Sequence, residues 1–127
     1  MELTPRGGGN RLCEMLKYAT NVDLITAMVR YIVGDSVPLV EQKPYNGYWA
    51  EVILHAPKAG TFCSLDISPV LKSNIIEEDL WVKPGDAVMA FNGANDAIGT
   101  VVLRFDDSFE MKDAIHKLNN WLSVSIC

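Results

Sequence analysis

Glu2-Leu3-Thr4-Pro5-Arg6-Gly7-Gly8-Gly9-Asn10 sets a carboxylate and a guanidinium four positions apart, followed by three residues without side chains. The stretch is polar and glycine-rich. It lacks the apolar segment that a secretory signal needs. A triple glycine makes an unusual start for a free-standing domain, so it reads as a loop from inside something larger, with the chain cut just upstream.

Working outward, Asn10 can cap a helix beginning at Arg11, with Leu12, Met15, Leu16 and Ala19 on one face at i, i+3, i+4, i+7 spacing. Thr20 and Asp23 fit a capping box, which starts a second helix near Asn21. Its apolar stripe is Val22, Ile25, Met28, Val29 and Ile32, and Gly34 stands where a left-handed C-terminal residue is wanted.

A turn-rich link follows, and the periodicity then changes from helical to alternating. Residues 48–55 read as a strand, with Tyr48, Ala50, Val52 and Leu54 on one face and Trp49, Glu51, Ile53 and His55 on the other. Further strands are expected at 61–67, 75–82, 87–91 and 97–105. Ser68-Pro69 opens a short helix reaching about Ser73. Pro84-Gly85 and Asn92-Gly93 supply turns. Asp107 and Glu110 form another capping box. Met111, Ala114, Ile115, Leu118 and Leu122 mark one face of a last helix, and residues 123–127 can form a short strand. The expected class is α+β: N-terminal helices, an antiparallel β-rich middle and a C-terminal helix. Residues 1–36 and 37–127 are the expected divisions.

The chain has 127 residues, 49% of them hydrophobic and 21% charged, which suits one domain or one lobe of a larger one. A net charge of −5 argues against nucleic acid as a general partner, because phosphate backbones repel such a surface. No apolar run approaches the ~18 residues of a membrane helix. Cys13, Cys63 and Cys127 are odd in number and widely spaced. The simpler reading is reduced thiols in a cytoplasmic protein rather than a disulfide framework.

The opening stretch resembles the last active-site motif of ATP-grasp ligases, an E-x-N/T-P-R-x-G-G segment that leads into helices. Those helices often carry an A-T-x-V-D-L run, matched by Ala19-Thr20-Asn21-Val22-Asp23-Leu24. Trp81-Val82-Lys83-Pro84-Gly85-Asp86 and Ala97-Ile98-Gly99-Thr100-Val101-Val102 are similar to the C-terminal β-rich region of carboxylate–amine ligases. That group includes carbamoyl-phosphate-synthase-like, L-amino-acid-ligase-like and biotin-carboxylase-like proteins. The resemblance implies the C-terminal portion of an enzyme that uses ATP and Mg2+ to convert a small carboxylate to an acyl phosphate, which an amine or similar nucleophile then displaces.

The resemblance further implies a role for each motif residue. Glu2 is a magnesium ligand. Thr4 stands at a second metal position, where many members carry Asn, and a hydroxyl is a shorter and weaker ligand. Arg6 holds the substrate carboxylate or the transferring phosphoryl group, to which its planar fork is suited. Gly8 and Gly9 let the backbone approach substrate or phosphate. Asn10 either contacts substrate or caps the first helix.

The upstream parts of the family's site are not in this sequence. The expected partner is therefore the remainder of the enzyme, as upstream lobes or a separate subunit, and the chain alone is expected neither to hydrolyse ATP nor to bind it tightly. Homo-oligomer contacts are a further expectation.

Other features read as structural. His55 and His116 lack convergent partners in the sequence. Glu77-Glu78-Asp79 suits a solvated strand edge. Trp49, Trp81 and Trp121 suit a core or an interface, and Cys63 a small buried hydrophobe. The alternative function is a non-catalytic binding or oligomerisation module. Val82-Lys83-Pro84-Gly85-Asp86-Ala87-Val88 is similar to a turn of biotinyl and lipoyl carrier domains, but the expected hairpin tip at 91–95 has no lysine to modify.

Overall fold

The computed structural model describes residues 9, 11–37, 41 and 43–127. The chain forms two compact units, dividing between Gly47 and Tyr48.

The first unit contains α1 (Leu12–Thr20) and α2 (Leu24–Ile32). The N-cap of α1 is Arg11 in a left-handed conformation, and its carbonyl accepts from the Met15 N–H. Asn21 ends α1, also left-handed (φ 60°), a conformation Asn tolerates better than most residues. The expected capping box at Thr20 and Asp23 is corrected. The Thr20 hydroxyl donates back to the Leu16 carbonyl at 2.6 Å, which makes Thr20 the last residue of α1. Asp23 alone caps α2, accepting from the Thr26 N–H at 2.9 Å. At the other end, the Asp35 N–H bonds to the Arg30 carbonyl and the Gly34 N–H to the Tyr31 carbonyl. With Gly34 at φ 83°, this is a complete Schellman motif, as the glycine's position suggested.

The Asp23 carboxylate also pairs with Lys17 at 2.7 Å. The Lys17 hydrogen bond, then the Thr26 backbone N–H, pull the Asp23 carboxyl from 3.8 down to about 2. The same contact raises Lys17. A depressed carboxyl stabilises the fold above its unfolded pKa and loses that effect as pH falls through the folded one. The α1–α2 corner should therefore weaken between about pH 4 and pH 2. An NMR titration should place the Asp23 midpoint near 2. In Lys17→Gln that midpoint should move towards 3.8, and an unchanged midpoint would show that the pair does not form in solution.

The second unit contains two three-stranded antiparallel sheets. One has β1 (Tyr48–His55), β5 (Ala97–Phe105) and β3 (Ile75–Leu80) in the order β1-β5-β3. The other has β4 (Ala87–Val88), β2 (Gly60–Ile67) and β6 (Leu122–Ile126) in the order β4-β2-β6. Helices α3 (Pro69–Lys72), α4 (Ser108–His116) and α5 (Leu118–Trp121) connect them. Ser68 caps α3 with Pro69 in its first turn, and Asp107 caps α4 through the Phe109 N–H.

Strand β5 carries the core. Its run of Ala, Ile, Thr and Val reads as a strand buried on both faces, and Ile98, Thr100, Val101, Val102, Leu103 and Phe105 are all buried. Leu54, Phe62, Leu71, Val88 and Ala114 join the same core, with Ala50 and Val52 of β1 against it as their alternation predicted. Pro84-Gly85 makes a type II turn: Gly85 has φ 100° and the Asp86 N–H returns to the Lys83 carbonyl.

Gly99 lies where β3 and β5 approach most closely. A Cβ there would sit 2.5 Å from the Asp79 carbonyl oxygen and 3.0 Å from Leu80 Cα. Both neighbours are backbone and cannot swing aside. Gly99→Ala should therefore lower unfolding stability by about 1–3 kcal/mol. Denaturant titration of the variant checks this, and an unchanged midpoint would show that the strands separate easily.

Three further expectations are corrected. The strand at 87–91 shrinks to two residues, with Met89 and Phe91 exposed. The expected last helix is broken at Lys117 into α4, which ends at His116, and the single turn of α5. Leu122, expected on its face, instead starts β6, whose Leu122, Val124 and Ile126 pack on the core. Finally, Cys63 and Cys127 form a disulfide, their Cα atoms 5.8 Å apart, instead of remaining free thiols. Cys63 is the extra residue of a bulge between Phe62 and Ser64, which pair with Ile126 and Ser125. The Cys127 N–H bonds to the Thr61 carbonyl at 2.9 Å, which brings the terminal cysteine to that bulge. Cys13 is free.

Candidate functional site

Of the motif residues, Glu2, Thr4, Arg6, Gly8 and Asn10 lie outside the described residues. Gly9 is described. It is exposed, its carbonyl accepts weakly from the Leu12 N–H at 3.4 Å, and nothing lies within 4 Å of where a Cβ would be. Gly9 therefore lies at the first turn of α1, which the Arg11 carbonyl opens.

Behind α1, residues 43–47 return along the helix, and the Asn46 N–H bonds to the Ala19 carbonyl at 2.7 Å. This forms an open groove of about 170 Å3 lined by Leu16, Thr20, Val22, Leu24, Glu41, Lys43 and Tyr45. It offers one carboxylate and one ammonium over an apolar floor. A larger cleft of about 400 Å3 lies in the second unit, between β1 and the α5–β6 turn. Val52, Leu54, Leu118 and Leu122 form its apolar lining, and His55, Asn119 and Ser123 its polar one. The His55 ring packs tilted against Phe91, with centroids 4.2 Å apart.

Among the described residues no group of three or more His, Cys, Asp or Glu converges as a metal site. The acidic run at 77–79 is on edge strand β3, where Asp79 accepts from Trp81 Nε1 at 2.9 Å. Trp81 itself is exposed rather than in the core, and His116 is exposed on the last turn of α4. No helix among the described residues is long and apolar enough to cross a membrane.

Sequence reasoning missed two features near these sites, the Cys63–Cys127 bond and the Asp66 network. The Asp66 carboxylate accepts from Ser64 at 3.0 Å and Ser125 at 2.8 Å, across β2 and β6. The Ser-x-Asp and Ser-x-Cys patterns were visible, but only the strand register brings them together.

The fold matches about one third of the length of each of two solved structures. Phosphoribosylglycinamide synthetase from Anaerococcus prevotii superimposes with a TM-score of 0.75 at 19% identity, over 100% of this chain and 33% of that one. L-amino acid ligase from Bacillus licheniformis gives 0.74 at 13% identity, over 94% of this chain and 30% of that one. No family model matches the sequence, and no curated protein does.

Proposed function

We propose that the chain is the C-terminal part of an ATP-dependent ligase that joins a small carboxylate to an amine, or a related nucleophile, through an acyl phosphate. The observation that supports it best is whole-chain likeness to one third of two ATP-grasp ligases, combined with a Glu-x-Thr-Pro-Arg-x-Gly-Gly motif before α1. In this reading residues 1–36 end the catalytic lobe and 37–127 form the C-terminal subdomain.

Arg6 clamps the carboxylate or the phosphoryl group through its two-pronged donor face. Gly8 and Gly9 let main-chain N–H groups reach an anion, and Asn10 orients substrate, since Arg11 rather than Asn10 is the N-cap of α1. Magnesium, when bound, neutralises charge on the phosphates. Glu2 and Thr4 would hold it, and no group of three or more His, Cys, Asp or Glu converges among the described residues. The remaining ligands come from the other two thirds of the fold. Cytoplasmic residence fits an ATP-consuming enzyme, and the Cys63–Cys127 bond is then an exception to the reduced state usual there.

The chain alone is therefore inactive. Magnesium dehydrates reluctantly and is held by carboxylates together with substrate phosphates, so one carboxylate without its lobe should hold it poorly. Isothermal titration of the 127-residue chain with Mg-ATP should show no micromolar binding. Micromolar affinity would overturn the reading. A carrier module is separated by intact mass: the unmodified mass is expected, and an added biotinyl or lipoyl group would favour the carrier.

A further inference from the structure

Helix α2 has specified ends and an uncovered face. Asp23 caps its start and the Gly34 Schellman motif closes its finish, yet none of its nine residues is buried. Ile25, Met28, Val29 and Ile32 are 40%, 43%, 52% and 73% exposed in this chain. They stand at i, i+3, i+4 and i+7, the spacing of one helix face. Only Leu24 and Ala27 are half-buried. The expected apolar stripe is therefore present and exposed from Ile25 onward. A helix this short gains little from propensity alone and depends on packing.

We propose that this stripe is the seat of the remaining two thirds of the ATP-grasp fold, whether carried on the same polypeptide or a separate one. The inference rests on the ligase reading above. Two observations name the occupant. The chain supplies only 33% and 30% of the length of the structures it matches, so the matched fold contains about twice as much additional chain as is present here. The stripe carries no charge, and the whole nine-residue helix has one charged residue, Arg30. Permanent contacts are apolar in this way, resembling a domain core cut in half, whereas transient ones keep about the composition of ordinary surface. Tyr31 and Val33, 77% and 68% exposed, extend the apolar surface beyond the stripe.

Hydrogen exchange of residues 24–32 tests this, first in the chain alone and then with nucleotide-binding lobes, fused ahead of Met1 or added as a separate subunit. The amides of α2 should exchange at least 100-fold more slowly with the lobes present. Val29→Glu and Ile32→Lys, both at exposed positions, should restore fast exchange and weaken association at least 100-fold while leaving circular dichroism unchanged. Phe109→Glu, at a 76% exposed position on α4, should have no effect. Unprotected α2 amides in an active assembly would overturn the inference and leave the ligase reading standing. Protection that rises with concentration in the chain alone would also overturn it, by identifying a second copy as the occupant. Absence of nucleotide-binding lobes both from the upstream reading frame and from any associating subunit would sink both.

Discussion

Serine at position 63 should lower the stability of the oxidised second unit by about 4 kcal/mol, the closure entropy of a ~64-residue loop. The bond joins Cys63 to Cys127 across a sequence separation of 64, so it removes a large part of the freedom of the unfolded chain. The β6 ladder to β2 is interrupted at that end by the bulge at Cys63, where the Cys127 N–H bond to Thr61 and the packing of Ile126 assist the disulfide. For a unit of this size the loss corresponds to a melting shift of roughly 20 °C. Thermal unfolding without reductant should separate Cys63→Ser from the parent, and dithiothreitol should erase the difference. Cys13→Ser should melt with the parent, since that thiol is free. Equal melting of Cys63→Ser and parent under oxidising conditions would show that the bond does not form.

Arg6→Ala in the assembled ligase should reduce turnover by about 10²–10³-fold, the usual cost of losing one fixed donor to developing charge. Arg6→Lys should recover only part of it, because an ammonium cannot reproduce the two-pronged geometry. The readout is phosphate release that depends on both carboxylate and amine. A rate in Arg6→Ala equal to the parent's would remove Arg6 from the site. A parent assembly that hydrolyses ATP without any carboxylate dependence would remove the ligase reading itself.

The parts of the fold set by local chemistry were legible in the sequence. Ser68-Pro69, Asp107, Gly34 and Pro84-Gly85 each specify a cap or turn through their own side chains or backbone freedom, and each does so in the structure. Strands β1 and β5 followed from alternation and from an unbroken apolar run. What failed depended on distant partners. Leu122 continues the helical stripe of Met111, Ala114 and Leu118, but it also begins a Leu-Ser-Val-Ser-Ile alternation, and pairing with β2 decides between the two periods. Pairing of Cys63 with Cys127 needs the register of two strands about 60 residues apart. The α2 stripe was read correctly as a face, while its exposure depends on what covers it. Of the candidate site, the motif was legible by resemblance, and Gly9 is its one described member.

Strand β6 also dictates a timetable. Strand β2 finds its long ladder only in residues 122–126, and β1 and β3 both wait for β5 at 97–105. Until then the growing polypeptide holds apolar segments with no mates, and distant pairings form slowly. A ribosome must therefore release residue 105 before the first sheet can close and nearly the whole unit before the second can, and clipping the last few residues should harm folding far more than clipping the same number from a surface loop.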